Sequence, residues 1–297
     1  MPEFDYLQRF LFEHHAVRGE LVFLRDVFQT VTQQRQYPAV VKHLLGQAMT
    51  ATALLGATIK YKGRLILQAQ TAGPVNLLVV QCDESFNMRA LARWQDDSDF
   101  SGQLFGEGHM IMTVAPDNTT ERYQGVIDLS SDQLSENLER YFEQSEQLPT
   151  KLWLAAGEDQ TVGLLIQKMP DLHSGELSAG EEWDYWEHVI TLAGTITEKE
   201  LLTLDIQTIL YRLFHEEDVR LYESQPIRFR CDCSKDKMTQ AVLTMGQDEI
   251  ADILRTYGMV EVTCDFCNNT YAFSKPEIDI IFIPLQDAKH PSRHSGS

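Results

Sequence analysis

Positive charge is scarce in this sequence. Lys and Arg together number 25 against 44 Asp and Glu, so the formal net charge at pH 7 is -19 over 297 residues. A surface of this sign repels the phosphate groups of nucleic acids and of anionic lipids. The composition therefore argues against a general nucleic-acid-binding or membrane-binding protein, and we expect no partner of either kind.

A long uninterrupted hydrophobic run is also absent. The most apolar long segment, residues 38–60, contains Lys42, His43 and Gln47, which predicts a buried helix and not a membrane span. The N-terminal residues MPEFDYLQRF show no apolar stretch before a small-residue cleavage site, so we expect no signal peptide. These features favour a cytoplasmic location, where paired cysteines serve metal or redox chemistry more often than structural disulfides.

Ordinary usage of Gly and Pro and a hydrophobic content of 43% predict a globular chain with more than one domain. Strand-like runs alternate with helical segments up to about residue 170, which is typical of an α+β fold. We expect an N-terminal mixed sheet-and-helix domain over residues 1–175, a helical linker over 176–225, a small C-terminal α+β domain over 226–285, and a disordered tail over 286–297.

The expected linker consists of short amphipathic helices. The segment EEWDYWEHVITLA places Trp183, Trp186 and Ile190 on one face, and Thr197 with Glu200 forms a capping box for the next helix. The segment after it repeats the apolar spacing at Ile206, Ile209, Leu210, Leu213 and Phe214. Such helices either simply cover the core of the first domain or form a layer that can detach from it, and the residues leave both possibilities open.

Cysteine is rare as well. The chain has five, and four of them form a C-x-C pair, Cys231 and Cys233, and a C-x-x-C pair, Cys264 and Cys267. Zinc binds four thiolates at about 2.3 Å in a tetrahedron, and two short pairs brought together by a small fold supply that set. The sequence therefore predicts one Zn²⁺ per chain, held by these four residues in a zinc-binding domain. The remaining Cys82 ends an apolar strand and is expected to be a small buried hydrophobic residue.

The C-terminal segment is too small to bury a secure core, so a metal would add stability that packing alone does not supply. We expect Ser234 to cap a first helix that ends at Gly246, a second helix that stops at Gly258, two short strands around the second cysteine pair, and a last helix opened by Ser274 with Glu277.

The charge of this segment also bears on its partners. Residues 226–279 hold six Lys/Arg against nine Asp/Glu, which argues against a nucleic-acid-binding zinc ribbon. Four of the cations flank the first cysteine pair and are expected to offset the negative charge of a zinc tetrathiolate: Arg228, Arg230, Lys235 and Lys237.

The spacing of the cysteines also permits redox chemistry. Within each pair the sulfurs lie close enough to form a disulfide when no metal holds them, so an oxidant that attacks one thiolate could displace zinc and close both pairs. Structural zinc supplies about 10–16 kcal/mol of apparent folding free energy in zinc-finger peptides, so its loss should unfold so small a domain. Two interpretations follow: a purely structural zinc site, or an oxidation-triggered order-to-disorder switch.

Three segments carry a resemblance to a known family. YFEQSEQLPTKLWLA, LFHEEDVRLYESQPIRFRCDCS and VEVTCDFCNNTYAF resemble signatures of the thirty-three-kilodalton redox-regulated heat-shock chaperones of bacteria. The four paired cysteines match that family in order and spacing, and the resemblance extends over nearly the whole chain. One difference is Asn268, where many relatives have Gly directly after the second pair. Asn tolerates the left-handed backbone conformation, so we expect the same turn.

The resemblance implies a redox-regulated holdase chaperone and not an enzyme. In that family the reduced protein holds zinc through its four cysteines and is inactive, whereas oxidation forms two disulfides, zinc leaves, and the linker helices become disordered. Carried over to this chain, the zinc ligands are also the redox-active thiols, and the expected disulfides are Cys231–Cys233 and Cys264–Cys267. The exposed apolar surface then binds unfolding client proteins without ATP under heat and oxidative stress, and the oxidised form tends to dimerise.

The resemblance also favours a linker that can detach. If residues 176–225 cover an apolar surface and rest on the zinc-binding domain, unfolding of that domain removes their support. Trp183, Trp186, Ile190 and Leu213 would then exchange their own partners for side chains of client proteins.

Two interpretations from other functional classes remain. A thiol–disulfide oxidoreductase that uses Cys264 and Cys267 predicts this pair at the N-terminus of a helix in a βαβ setting. An adaptor with a structural zinc ribbon predicts zinc and thiols that resist mild oxidants. A metalloprotease is excluded, because Val219 occupies the position of the second His in the motif that His215 would begin.

Overall fold

The computed structural model describes residues 5–59, 62–96, 100–116, 122–170 and 179–287. The expected junction between residues 175 and 176 lies outside these ranges, as does the expected tail from residue 288 onward. The strands are β1 (Tyr6–Phe12), β2 (Val17–Leu24), β3 (Arg64–Thr71), β4 (Leu77–Asp83), β5 (Asn87–Arg93), β6 (Gly108–Ala115), β7 (Tyr123–Asp128), β8 (Thr150–Ala156), β9 (Thr161–Lys168), β10 (Val219–Leu221), β11 (Gln225–Pro226), β12 (Arg228–Phe229), β13 (Met259–Thr263) and β14 (Thr270–Ser274). The helices are α1 (Asp26–Thr32), α2 (Ala39–Thr58), α3 (Leu134–Tyr141), which continues into a π-helical turn (Phe142–Glu146), α4 (Ala179–Ala193), α5 (Glu198–Thr203), α6 (Ile206–Phe214), α7 (Lys235–Met245), α8 (Gln247–Tyr257) and α9 (Lys275–Asp287).

The chain divides into two compact units, unit 1 over residues 1–230 and unit 2 over residues 231–297. The sequence predicts a zinc-binding domain from residue 226, whereas the division falls after Arg230. The reason is that β11 pairs with β1 and β12 pairs with β5, so these residues belong to the sheets of unit 1. The finer division into core domain, linker and zinc-binding domain stays a prediction.

The first sheet of unit 1, sheet A, has the strand order β10-β1-β2-β9-β8, and β11 also pairs with β1. Successive side chains of a strand point to opposite faces, so β1 sends Leu7 to one face and Phe10 and Phe12 to the other. Gly19 lies opposite Phe10 in β2, where a Cβ atom would collide with the Phe10 ring. Both faces of sheet A are therefore buried, each against a different layer.

Helix α2 lies between sheet A and a second sheet. Its sequence, AVVKHLLGQAMTATALLGAT, is apolar around most of its circumference, as a helix buried on all sides requires. The second sheet, sheet B, has the strand order β12-β5-β4-β3-β6-β7 and packs one face on α2. The buried helix predicted over residues 38–60 is thus confirmed, and Pro38 directly precedes its first residue.

Helices α4, α5 and α6 cover the other face of sheet A. The capping box of Thr197 with Glu200 is present at the start of α5, and α6 buries all five apolar residues that its spacing predicts. The cluster that these helices form with sheet A contains Phe10, Phe12, Val17, Leu21, Ala155, Val162, Leu164, Ile166, Trp186, Val189, Ala193, Leu201, Ile206, Ile209, Leu210, Leu213 and Phe214. Within unit 1, the expected linker helices therefore cover an apolar sheet face.

The buried stripe of α4 differs from the predicted one. Trp186, Val189 and Ala193 are buried, whereas Trp183 is 47% exposed and Ile190 is half-buried. The stripe is centred between Trp186 and Val189, so Trp183 and Ile190 fall at its margin. The apolar spacing of α4 is compatible with either rotation, and packing against sheet A selects this one.

Unit 2 contains α7, α8, the antiparallel hairpin β13–β14 and α9. The predicted limits are confirmed, since the Ser234 side chain caps α7, Gly246 ends it, and Gly258 ends α8 in the left-handed conformation. The backbone N–H and the hydroxyl of Ser274 both donate to the Glu277 carboxylate at the start of α9. In unit 2, the buried cluster contains six of the side chains that the structure describes: Val242, Ile250, Val260, Phe273, Ile278 and Phe282.

Both units combine helices with antiparallel strands, so the predicted α+β class is confirmed. Among the residues that the structure describes, no helix has both the length and the apolar character needed to cross a membrane.

Candidate metal centre

The first cysteine pair lies in the extended segment that begins unit 2. Cys231 and Cys233 stand after β12 and directly before Ser234, the residue that caps α7. Because the Ser234 side chain accepts a hydrogen bond from the backbone N–H of Lys237 (3.2 Å), the direction in which the chain leaves the pair is fixed locally.

The second pair lies in the turn of the β13–β14 hairpin. Cys264 follows β13, and its carbonyl accepts a hydrogen bond from the backbone N–H of Asn268 (2.9 Å). Its own N–H donates to the carbonyl of Asn269 (2.9 Å). Asn268 has a φ of 56°, the left-handed conformation expected at this position, so the turn forms without glycine. Cys264 and Cys267 are thereby held on one tight turn.

The structure brings all four predicted ligands together. Their sulfur atoms all lie within 4.8 Å of one another. The Sγ–Sγ distance is 3.7 Å between Cys231 and Cys264 and 3.4 Å between Cys233 and Cys267. Four sulfurs at about 2.3 Å from a tetrahedral zinc are about 3.8 Å apart, whereas a disulfide needs about 2.05 Å. The four unbonded thiols therefore fit a tetrathiolate zinc site.

The hydrogen bonds of the cluster favour one thiolate. Desolvation alone would raise the pKa of Cys233, but hydrogen bonds from the Tyr271 hydroxyl (3.1 Å) and from the neighbouring thiols outweigh it and lower this pKa to about 7. The pKa of Tyr271 rises to about 12, first because of its hydrogen bond to Cys233 and then because of desolvation. The Tyr271 phenol therefore stays protonated and acts as a donor to this sulfur.

The thiols of Cys264 and Cys267 hold their protons more tightly than an ordinary thiol. Burial raises the pKa of Cys264, and burial together with the hydrogen bond to Cys233 raises the pKa of Cys267. A zinc ion binds thiolates and displaces such protons, so its affinity for this cluster depends on pH. The arrangement could hold a metal ion through its four sulfurs.

Two of the four cations that were expected to offset the negative charge of the thiolates have other partners. Lys235 Nζ lies 2.6 Å from a carboxylate oxygen of Glu277, and Lys237 Nζ lies 2.6 Å from a carboxylate oxygen of Asp232. The hydrogen bond from Lys235 is the main reason that the pKa of Glu277 falls to about 2. Lys235 and Lys237 therefore form ion pairs with nearby carboxylates, whereas the sequence predicted that they would offset the charge of the thiolates. The sequence alone does not show which carboxylates come close to them.

Sequence reasoning missed Tyr271. Its pairing with Val262 across the β13–β14 hairpin places it beside the cysteine turn. The signal available in the sequence was its position four residues after Cys267, which becomes informative only once the two strands are known to pair.

Other residues considered from the sequence lie elsewhere. Cys82 is fully buried in β4 of sheet B, as predicted, and His215 is exposed at the end of α6. Within the described ranges, the four paired cysteines are the one group of three or more His, Cys, Asp or Glu residues whose ligand atoms come this close. The oxidoreductase interpretation loses its support, since Cys264 and Cys267 lie between two antiparallel strands and not at a helix N-terminus.

Comparisons with known proteins agree over nearly the full chain. A family model described as Hsp33 protein matches residues 5–274. A "33 kDa chaperonin" of Nitrosococcus oceani is 43% identical over 293 residues, which cover 96% of this chain and 99% of the relative. A "33 kDa chaperonin" of Vibrio cholerae is 41% identical over 288 residues, which cover 94% of this chain and 96% of the relative.

The fold has a counterpart among solved structures. The crystal structure of the 33 kDa chaperonin (heat shock protein 33 homolog) of Thermotoga maritima matches with a TM-score of 0.79 at 22% identity, covering 95% of this chain and 99% of that one. At this identity the likeness concerns the fold. The family match and the similarity to relatives, both along almost the whole chain, establish that this protein belongs to the Hsp33 family.

Proposed function

We propose that this chain is a redox-switched chaperone that holds unfolding proteins without ATP. The observation that carries the proposal is the group of four unbonded thiols within 4.8 Å of one another in unit 2 of a chain of the Hsp33 family. Relatives over nearly the full length are named 33 kDa chaperonin, a function that is not catalytic.

In the reduced state, Cys231, Cys233, Cys264 and Cys267 would hold one Zn²⁺. When bound, zinc would cross-link the segment that carries Cys231 and Cys233 to the turn of the β13–β14 hairpin. The chain's own contribution is the placement of the sulfurs, because the Ser234 cap and the turn at Asn268 fix the two segments that carry them. The chaperone is inactive in this state.

Oxidation by hydrogen peroxide starts the switch. A thiolate sulfur attacks one peroxide oxygen, the O–O bond breaks, and hydroxide leaves, so that the cysteine becomes a sulfenic acid. The second thiolate of the pair attacks this sulfur, the S–O bond breaks, and another hydroxide leaves as the disulfide forms. Each disulfide thus consumes one peroxide. Disulfide sulfurs have lost the charge with which thiolates bind a metal, so unit 2 loses its cross-link.

The proposed disulfides are Cys231–Cys233 and Cys264–Cys267, whereas the sulfur contacts of 3.7 Å and 3.4 Å described above join residues of different pairs. Trypsin separates the possibilities, because Lys235 and Arg255 lie between the pairs. Disulfides within pairs leave two separate tryptic peptides, each two hydrogens lighter than its reduced form. Disulfides between pairs join the two peptides into one species, and finding that species as the main product contradicts this part of the proposal.

Release of the linker helices would provide the binding surface for clients. Helices α4 to α6 cover an apolar face of sheet A, and among their residues Trp186 and Leu213 are buried against it. We propose that unfolding of unit 2 releases these helices, so that both the helices and the sheet face can bind apolar side chains of unfolding proteins. Hydrogen exchange that is equally slow in α4–α6 before and after peroxide treatment contradicts this step.

We further propose that the oxidised protein dimerises and that it works in the cytoplasm under heat and oxidative stress. An apolar face freed from its helices favours self-association, and the low abundance of disulfides in reducing compartments suits a thiol-based switch. The net charge of -19 supports solubility while apolar surface is exposed, and it disfavours nucleic acid and anionic membranes as partners.

The decisive experiment follows zinc, thiols and activity together. Reduced, zinc-loaded protein is treated with peroxide at elevated temperature, released zinc is read with a chelating dye, and free thiols are counted. We expect loss of one zinc with the four paired thiols, and in parallel suppression of light scattering by a heat-unfolding client protein. The variant Cys82→Ser is the matched control and should switch like the parent. If zinc is retained and the thiols stay intact, the switch is contradicted and unit 2 is a structural zinc ribbon.

A further inference from the structure

A cavity of about 810 Å³ opens in unit 1, at one end of sheet A on the face that α4, α5 and α6 cover. Tyr6 of β1 lies opposite Pro226 of β11 on one side and opposite Phe23 of β2 on the other, and all three line the cavity. Phe23 in turn lies opposite Val162 of β9, which also lines it. The rings of Tyr6 and Phe23 stack with their centroids 5.1 Å apart. The floor is therefore an apolar row across four strands, and the volume falls within the range of small-molecule sites, about 300–1,000 Å³.

The wall of this cavity combines segments that are far apart in sequence. The start of α1 forms one side, and residues 202–205, which join α5 to α6, form another. The Gln160 side chain connects them, since its Nε2 donates to the carbonyl of Leu202 and its Oε1 accepts from Arg25 Nη2 (2.7 Å). The complete cavity therefore exists only while α5 and α6 lie against sheet A.

One polar group at the floor is free to bond a ligand. The Tyr6 hydroxyl makes no hydrogen bond to any residue that the structure describes, and its oxygen is not among their inaccessible unpaired atoms. Desolvation raises the pKa of Tyr6, and the charge of Asp205 raises it further, which places this carboxylate near the hydroxyl. Asp205 also lines the cavity. A ligand group that matches the two offers one acceptor and one donor, as a carboxamide does.

The ionic groups at the cavity favour an uncharged ligand. The Asp5 carboxylate is held by the backbone N–H groups of residues 25–27 and is not available to a ligand. The remaining ionic side chains of the lining are two carboxylates and two guanidinium groups: Asp26, Asp205, Arg25 and Arg228. These four charges cancel. An anion or a cation would bring an uncompensated charge into a half-buried site, whereas an uncharged molecule would not.

We propose that this cavity binds a small uncharged aromatic carboxamide. The ring packs on the apolar floor beside Tyr6 and Phe23, the carboxamide oxygen accepts from the Tyr6 hydroxyl, and the NH₂ group donates to Asp205. The molecule also contacts residues 202–205, so it holds α5 and α6 in place. If release of these helices activates the protein, the molecule is an inhibitor, and this consequence alone rests on the proposed function. The four paired cysteines take no part in the lining.

The test uses the reduced, full-length protein and 2-naphthamide as the probe, titrated by calorimetry. We expect saturable binding of one molecule per chain. The anion 2-naphthoate and the cation 2-naphthylmethylammonium keep the ring, and each should bind at least about tenfold more weakly. Methyl 2-naphthoate is uncharged and keeps the acceptor, but it lacks the donor to Asp205 and should also bind more weakly than the amide.

Matched variants locate the site. Tyr6→Phe removes the hydroxyl and keeps the ring, and it should weaken binding of 2-naphthamide about fivefold. Asp205→Asn keeps a good helix cap but leaves one surplus positive charge, so it should narrow the difference between 2-naphthoate and 2-naphthamide. Tyr211→Phe and Asp184→Asn change exposed residues outside the lining and should leave both affinities unchanged. Circular dichroism checks that each variant is folded.

Hydrogen exchange tests whether the molecule holds the helices. A ligand that binds only while α5 and α6 are in place lowers the population in which they are released, about elevenfold at a free concentration of ten times Kd. Exchange that requires this release should slow by the same factor in α5 and α6 and stay unchanged in α7 of unit 2. The measurement uses reduced protein, so it does not depend on the response of the thiols to peroxide.

The consequence for activity has its own measurement. In the light-scattering assay of peroxide-treated protein, 2-naphthamide should lower the activity of the parent chain more than that of Tyr6→Phe, which controls for effects on the client. Zinc release and activity without 2-naphthamide report separately on the proposed function.

Three results would overturn the proposal. Absence of saturable binding means that water alone fills the cavity. Charged analogues that bind as tightly as 2-naphthamide contradict the role of the balanced charges. Binding that is the same in the parent chain, Tyr6→Phe and Asp205→Asn places the ligand elsewhere. Unchanged exchange in α5 and α6 at saturation would contradict the coupling to the helices while leaving the site itself in place.

Discussion

The two units of this chain achieve stability by different means. Unit 1 buries both faces of sheet A and most of α2, so its fold rests on two extensive apolar clusters. Among the side chains that the structure describes, unit 2 has a buried cluster of six, and it holds four thiols within 4.8 Å of one another. A core of that size contributes little free energy once conformational entropy is subtracted, so under the proposed function we expect metal ligation to decide whether unit 2 is folded.

The sulfur atoms of the two units reflect the same contrast. Cys82 in unit 1 is fully buried in a sheet, where a thiol packs like a small apolar side chain. The thiols of unit 2 lie at least partly exposed, apart from Cys264, and one of them has its pKa lowered to about 7. The thiol with the lowered pKa thus lies in the unit with the smaller buried cluster, which is where the proposed oxidation would have the largest structural effect.

Removal of zinc should produce the largest difference between the units. Chelation from the reduced protein removes about 10 kcal/mol or more of apparent folding free energy from unit 2 and none directly from unit 1. Hydrogen exchange followed by mass spectrometry should show α7 and α8 exchanging rapidly while β2 and β9 stay protected. Protection that persists in α7 and α8 after complete chelation would show that the small core suffices, and restored zinc should restore protection.

A large-to-small substitution among the side chains that pack α4, α5 and α6 on sheet A should act mainly on the stability of unit 1. Trp186→Ala removes a side chain that is 3% exposed, so we expect a loss of about 3–5 kcal/mol in the free energy of unfolding of unit 1. Trp183→Ala on the same helix removes a side chain that is 47% exposed and should cost less than about 1 kcal/mol. Urea unfolding monitored by circular dichroism measures both, and similar losses would mean that α4 packs in another rotation.

The pH dependence of unit 1 should reveal the buried carboxyl of Glu20. Burial raises its pKa from 4.5 to about 7, so the folded state holds this proton more tightly than the unfolded state. The contribution to stability is therefore complete below pH 4.5 and is lost as the pH rises to 7, by at most about 3 kcal/mol. Glu20→Gln should flatten this part of the urea-midpoint profile, and the exposed control Glu84→Gln should not.

Helix caps give the smallest and most closely matched comparison. Ser234→Ala in unit 2 and Thr197→Ala in unit 1 each remove a side chain that accepts a hydrogen bond from the first turn of a helix, at a cost of about 1 kcal/mol. We expect Ser234→Ala to lower the temperature at which peroxide releases zinc, because α7 follows the first ligand pair directly. Thr197→Ala should lower that temperature less, because α5 carries no ligand, and equal shifts would contradict a special role of the α7 cap in holding the first ligand pair.

Local signals in the sequence predicted those parts of the structure that depend on neighbouring residues. The spacing of the four cysteines indicated the metal site, Ser234 and Gly258 marked helix ends, and the apolar period of α6 identified its buried face. The helix ends, the apolar period and each cysteine pair are decided within a few residues of the chain, whereas the meeting of the two pairs was inferred from the four ligands that zinc requires.

Features that depend on distant partners could not be predicted. The strand segment VRGELVFLRD gave no indication that Glu20 is buried opposite Arg9, since this follows from strand pairing. The exposure of Trp183 depends on the rotation of α4 against sheet A. The hydrogen bond from Tyr271 to Cys233 requires both the hairpin and the first cysteine segment. Non-local pairing thus determined the electrostatics around Glu20 and around the four paired cysteines.

Strand β12 has a consequence for whether the proposed switch is reversible. It pairs with β5, and the backbone N–H of Arg230 donates to the carbonyl of Met88 (3.0 Å), so the last residue before Cys231 is still attached to sheet B. An unfolded unit 2 would therefore remain tethered at a fixed point on a folded scaffold. When reductant and zinc return, refolding starts from a pre-positioned first ligand pair and is a local event, so repeated oxidative episodes need not consume the protein.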